Sequence, residues 1–332
     1  MDVPRDRLPQ LPRFRLLDGP SPFAPVPRLS AVLGGRAEVW IKREDLLPLA
    51  FGGNKLRNLE FHVGAALADG ADTLVTAGRR WSNHCRLTAA AGARAGLAVH
   101  LVLSGPPVSP PGPNERLDAL LGATVEVTPS ADRDERSRAI EAAAARLRAA
   151  GRRPYVIPVG GSGVVGAMGQ LLGGLELVDQ AAVAGIRPSA VVLPTATGGT
   201  QAGLLVGLRL GGLATRVDGI AVAQPAAELR PVVERLAAEL GAACQPIGAT
   251  VRADEIAIRD DQLGAGYGRP TAAADEATRL LARTEGILVD PIYTAKALAG
   301  LVAAVREGRH DGESVVFWHA GGTPGLFEAL PG

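Results

Sequence analysis

The chain has 332 residues, 47% hydrophobic and 21% charged, with a net charge of +1. That length suffices for two domains with large cores, and the near-neutral balance offers no electrostatic footing for nucleic acid or an anionic membrane. Two cysteines, Cys85 and Cys244, exclude a disulfide framework and a four-thiolate zinc site, and the five histidines (His62, His84, His100, His310, His319) lack a metal-ligand spacing.

In chain order, residues 1–14 are charged and broken by proline, without the apolar centre of a secretory signal. No apolar run is long enough to span a bilayer, so a cytoplasmic protein is expected. Apolar runs then predict strands over residues 38–42 and 73–77, a helix over 82–95, and a strand over 98–103. A proline-rich loop over 105–113 leads into the next helix, followed by a strand over 124–127. Residues 133–150 alternate Asp or Glu with Arg at helical spacing, as on a solvated helix face. The remaining strands are expected over 155–158, 190–194, 219–223 and 315–318. Helices are expected over 165–184, 200–210, 231–240, 272–284 and 294–306. Apolar strands separated by helices imply an α/β fold whose parallel sheets are covered on both faces. The alternation over 60–165 forms one compact unit. The residues before it are too few for a domain and are expected to join the sheet formed after it. The division is thus a large domain of 1–59 with 166–332, and a small inserted domain of 60–165.

Of 35 basic residues only three are lysines, namely Lys42, Lys55 and Lys296. Arginine stays protonated at working pH, whereas a lysine of lowered pKa can attack a carbonyl compound. Lys55 ends the run Phe51-Gly52-Gly53-Asn54-Lys55, between a glycine turn and a helical pattern. It is the candidate for covalent chemistry, and Lys42 and Lys296 are assigned to structure.

Five loops could carry a ligand. Thr195-Ala196-Thr197-Gly198-Gly199-Thr200 follows an apolar strand and opens a helix, an arrangement that binds anions through backbone amides, hydroxyls and the helix dipole. It has neither the dinucleotide fingerprint nor the P-loop lysine, which points to a phosphorylated cofactor or to a plain glycine turn. Ser82-Asn83-His84 opens another helix. Ser82 reads either as an N-cap or, with the following amides, as a holder of a substrate carboxylate, with Asn83 on a neighbouring oxygen. Asp290-Pro291-Ile292-Tyr293-Thr294 precedes the helix of Lys296, and Trp318-His319-Ala320-Gly321-Gly322 follows the last strand. Tyr267 stands alone among glycines in Gly264-Ala265-Gly266-Tyr267-Gly268, so a ligand or the other lobe must be its partner. Loops at the carboxyl ends of strands, joined to a lysine suited to a Schiff base, point to pyridoxal phosphate.

The runs at 51–55, 82–84, 266–268 and 290–294, with Ile41-Lys42-Arg43-Glu44-Asp45 and Ile157-Pro158-Val159-Gly160-Gly161-Ser162, resemble the 1-aminocyclopropane-1-carboxylate deaminase / D-cysteine desulfhydrase family, in order across nearly the whole chain. The resemblance implies a two-domain tryptophan synthase β-like fold (fold type II), pyridoxal 5'-phosphate as cofactor, a small amino acid as substrate and a homodimer. It implies that Lys55 anchors the cofactor and serves as base at the substrate α-carbon. Asn83 would bond the cofactor's phenolic oxygen, Ala196, Thr197, Gly198, Gly199 and Thr200 its phosphate, and Thr294 would lie near its ring nitrogen. Ser82, with Asn83, His84 and Trp81, would meet the substrate, as would Tyr267 and Tyr293.

Where the deaminase branch has a glutamate, this chain has Thr294. An uncharged group there makes a weaker electron sink, sufficient to expel a thiolate but poorly suited to opening a cyclopropane. The expected reaction is therefore α,β-elimination, with deamination of the cyclopropane amino acid and β-replacement as alternatives. Three positions depart from the family pattern. Trp81 stands for the usual glutamine, Asn58 for a lysine near the phosphate, and Ala320 for a threonine.

Overall fold

A computed structural model describes residues 8–105, 109–130, 132–244 and 250–328. The first seven residues and part of the expected 105–113 loop, residues 106–108, lie outside them. One sheet has six strands, in spatial order β1 (Phe23–Pro25), β2 (Glu38–Arg43), β10 (Ser314–His319), β7 (Ala190–Thr195), β8 (Arg216–Ala221) and β9 (Ile256–Arg259). The other has four, in the order β5 (Thr124–Thr128), β4 (Ala98–Ser104), β3 (Thr73–Arg79) and β6 (Pro154–Val156). The helices are α1 (Pro27–Val32), α2 (Lys55–Ala68), α3 (Asn83–Ala95), α4 (Pro113–Leu120) and α5 (Arg133–Ala149), then α6 (Val164–Ala184), α7 (Gly199–Leu210), α8 (Ala226–Ala243), α9 (Ala272–Glu285) and α10 (Thr294–Arg306).

Alternation along the large sheet builds two cores. Val191, Leu193, Val316 and Trp318 face α6, α7 and α8. Val192, Val315 and Phe317 face α1, α9 and α10. Every pairing is parallel except the edge strand β1, which runs antiparallel to β2. Strands β1 and β9 escape the sequence pattern because they hold only three and four residues. Helix α8 starts five residues before the expected Pro231. Its Leu229 and Val233 are fully buried, and the Asp260 carboxylate accepts from the Ala226 N–H at 3.0 Å, so packing and a borrowed cap outweigh proline's missing donor.

Helix α2 carries Lys55 and is clamped from behind by buried charges. Arg57 Nε and Nη2 donate to Glu44 at 2.6 and 2.8 Å, and its Nη1 donates to Glu176 at 3.0 Å. Lys42 is fully buried and donates to Glu176, to Gln180 at 2.6 Å and to the Ser21 carbonyl at 2.8 Å. Each buried charge thus has an opposite partner.

Candidate active site

A cleft of about 750 Å³ opens where the carboxyl ends of the two sheets meet. In it lie Lys55, Ser82, Asn83, His84, Ala196, Thr197, Gly198, Thr200, Tyr267, Tyr293 and Thr294, drawn from separate loops and helix ends. This is the usual ligand position in open α/β sheets.

Lys55 is the first residue of α2. The turn before it holds positive φ from Leu49 through Gly53. A Cβ at Gly52 would lie 2.3 Å from the Asp45 carbonyl oxygen, so only glycine fits there. Asn54 locks the turn, its N–H donating to Ala320 O at 2.9 Å and its amide to Thr200 Oγ1 at 3.0 Å. Lys55 keeps a face open to the cleft, yet desolvation lowers its pKa from 10.5 to about 8. At pH 7 roughly one molecule in ten then carries a free amine, against roughly one in three thousand at the ordinary value. The rate of Schiff-base formation with pyridoxal phosphate is therefore expected to rise about tenfold per pH unit below 8 and level off above it. Stopped-flow absorbance at a series of pH values checks this.

The loop after β7 forms an anion cradle. Gly198 takes φ +79 as the N-cap of α7, aiming the first free amides of that helix into the cleft. Thr200 accepts from Asn54 and keeps its own proton for a group in the cleft. Thr195 Oγ1 is buried and unpartnered. Gly199 does not line the cleft; it packs on Ser162, whose hydroxyl donates to Thr197 O at 2.7 Å.

On the opposite wall Ser82 caps α3, its Oγ accepting from the Cys85 N–H at 3.2 Å, and also faces the cleft. The N-cap reading of Ser82 therefore holds. Asn83 Oδ1 accepts from Arg86 at 2.9 Å. The Thr76 hydroxyl donates to Ile157 O at 2.8 Å, so it accepts from His84 Nε2–H at 3.0 Å. Burial, with Lys55 nearby, holds this imidazole well below its ordinary pKa and hence neutral.

The Tyr267 and Tyr293 hydroxyls bond to each other. Burial raises both phenols above their ordinary pKa, Tyr293 far above, so they serve as donors rather than bases. Lys296 braces the Tyr267 turn, donating to Leu263 O and Gly266 O at 2.8 and 3.1 Å. Thr294 accepts from the Asp290 N–H at 2.8 Å and donates to Asp290 Oδ1 at 2.6 Å. Its proton is therefore committed within its own loop.

Besides Gly199, two sequence expectations change. Trp81 does not line the cleft; its indole leans on Tyr267 at 5.9 Å between ring centroids and sits over Gly268, where a Cβ would come within 2.7 Å. It supports a cleft residue from the loop between β3 and α3, a loop far from the Tyr267 turn in sequence. Asn58 is also away from the cleft, donating to Gly161 O at 2.9 Å and accepting from Gln170. Sequence reasoning gave no role to Asn54, Arg86 or Asp290. An arginine three residues after Asn83, hence on the same side of the helix, was the available signal for Arg86.

The profile of a family described as pyridoxal-phosphate dependent enzyme matches residues 14–321. The chain belongs to that family. Among its relatives, the D-cysteine desulfhydrase of Salmonella typhi is 42% identical over 99% of both chains, and that of Salmonella choleraesuis is 41% identical over the same share. A crystal structure described as an ACC deaminase homologue superposes with a TM-score of 0.89 at 34% identity, covering 97% of this chain and 95% of the other. A threonine deaminase from T.th., at 20% identity and a TM-score of 0.66 over 91% and 92% of the two chains, shares the fold. The cofactor of this family fits the residues present. The cradle offers amides and hydroxyl donors to a phosphate, and Lys55 offers an amine of lowered pKa to an aldehyde.

Proposed function

We propose that this enzyme is a lyase that removes the β-substituent of a small amino acid, with D-cysteine as the first candidate. D-Cysteine and water would give pyruvate, hydrogen sulfide and ammonia. The observation that carries the reading is Lys55, the one lysine lining the cleft among the described residues, with its amine lowered to about 8.

Lys55 would hold the cofactor's aldehyde carbon, Asn83 its phenolic oxygen, Ala196, Thr197, Gly198 and Thr200 its phosphate, and Thr294 would lie near its ring nitrogen. When bound, the cofactor supplies an aromatic ring that spreads the negative charge left at the substrate α-carbon. The Lys55 amine takes the α-proton, since its proton affinity is near the working pH. Ser82 and the first amides of α3 hold the substrate carboxylate, where the helix dipole favours an anion. Tyr267 and Tyr293, kept protonated by burial, offer a hydrogen bond to the departing group. Thr294 brings no charge and its proton is spent on Asp290, which favours a good leaving group such as thiolate. The same reading takes residues 1–59 with 166–332 as the cofactor-bearing domain, 60–165 as the inserted one, and the enzyme as a cytoplasmic homodimer.

The test compares D-cysteine, L-cysteine, chloroalanine and 1-aminocyclopropane-1-carboxylate in one assay. Sulfide and pyruvate from D-cysteine are expected. Oxobutanoate from the cyclopropane amino acid, with no sulfide from either cysteine, would reject the proposal in favour of deamination.

A further inference from the structure

We propose that Arg86 is a positioning residue that fixes which way the Asn83 amide faces and ties that amide to the turn bearing Lys55. The proposal rests on the cofactor site described above. Arg86 is fully buried on α3, one turn after Asn83. Its Nη1 donates to Asn83 Oδ1 at 2.9 Å and to Asn114 Oδ1 at 2.6 Å, and its Nη2 donates to the Gly52 carbonyl at 3.1 Å. Three elements therefore converge on one planar cation: the start of α3, the start of α4 and the glycine turn that delivers Lys55.

The chemistry of the guanidinium dictates the consequence. It has donors only, so the amide atom that meets it must be the oxygen. The Asn83 NH₂ is thereby turned away from Arg86, toward Gly322, where a Cβ would lie 3.0 Å from Asn83 Nδ2. An unconstrained asparagine can exchange its donor and acceptor faces by a half-turn of its amide. Arg86 removes that freedom and leaves a donor for an anionic oxygen in the cleft. Asp118, buried and with neither carboxylate oxygen hydrogen-bonded, lies near Arg86, but burial raises its carboxyl to about 8, so the three oxygens named above are what hold the guanidinium. Burial lowers the guanidinium to about 10, which leaves it charged at neutral pH. Lysine keeps the charge but, as a compact point donor, cannot span these three oxygens in one plane.

The experiment uses the holoenzyme and the variants Arg86→Lys, Asn83→Ala and their double. The readouts are the dissociation constant for pyridoxal phosphate, the position of the visible band of the lysine-bound cofactor, and the melting temperature of the cofactor-free protein. Arg86→Lys is expected to weaken cofactor binding about tenfold to a hundredfold and to shift the band, while borohydride reduction still places the cofactor on Lys55. In the Asn83→Ala background the same change should add less than about threefold, because the amide it orients is gone. Wild-type affinity and band position in Arg86→Lys would overturn the proposal, and so would an equal loss in both backgrounds. If Arg86→Lys does not fold, Asn83→Asp decides the point, since it leaves Arg86 an oxygen to hold. It should bind the cofactor no better than Asn83→Ala does, and wild-type binding by Asn83→Asp would overturn the inference. A wild-type protein that forms no Schiff base at Lys55 would instead reject the cofactor site itself.

Discussion

Lys55→Ala is expected to abolish the visible absorbance of the lysine-bound cofactor and to lower the elimination rate at least about a thousandfold. No other lysine can take its place. Lys42 is fully buried behind the large sheet, held by Glu176, Gln180 and the Ser21 carbonyl. Lys296 is fully buried and turned to the carbonyls of Leu263 and Gly266. Alanine suits the first turn of a helix, and removing a desolvated amine costs the fold little. The variant should therefore be folded and inactive, with circular dichroism like that of the wild type. A visible band that survives the substitution would show that the anchor is elsewhere.

Arg57→Ala should have the largest effect on stability, about 3–5 kcal/mol in chemical denaturation. The guanidinium is the hub between Glu44, which is fully buried, and Glu176. Its removal strands the Glu44 carboxylate, with the Ser21 hydroxyl left as a partner at 2.5 Å. The pH dependence has a definite sign. Burial pushes Glu176 up, but Arg57 and Lys42 overcome it and hold the carboxyl below 4.5. A depressed carboxylate contributes stability above its unfolded value, and that contribution is lost as the pH falls through the folded one. In the wild type, stability should fall on acidification below about 4.5, and this component of the fall should shrink in Arg57→Ala. An unchanged denaturation midpoint in Arg57→Ala would show that the clamp behind α2 is dispensable.

Much of the site is legible in the chain because its residues are chemically unusual for their surroundings. A lysine kept in an arginine-rich chain, a glycine-threonine loop after an apolar strand and a tyrosine among glycines all mark places where packing alone gives no reason for the residue. The structure brings Lys55, Thr200, Ser82 and Tyr267 to one cleft from positions far apart in sequence. The helix expected over 294–306 coincides with α10, since its apolar period and Thr294 lie in one continuous segment. By contrast, β9 has four residues and gains its place only by pairing with β8.

Local sequence was sufficient for whatever depends on near neighbours, namely the periodicity of strands and helices, the glycine turn ahead of Lys55 and the cap at Ser82. Only the tertiary structure decided which charged side chains are inside. Arg57, Arg86, Glu44 and Asp118 would read as solvated faces, yet all four are buried. It also decided that Trp81 stands behind Tyr267 rather than in the cleft, and that Asn58 holds the Gly161 carbonyl. The physical reason is that burial and electrostatic pairing are set by groups brought together from distant parts of the chain, such as Glu44 and Glu176 around Arg57. A charge's partner across the fold leaves no periodic trace in the residues on either side of it.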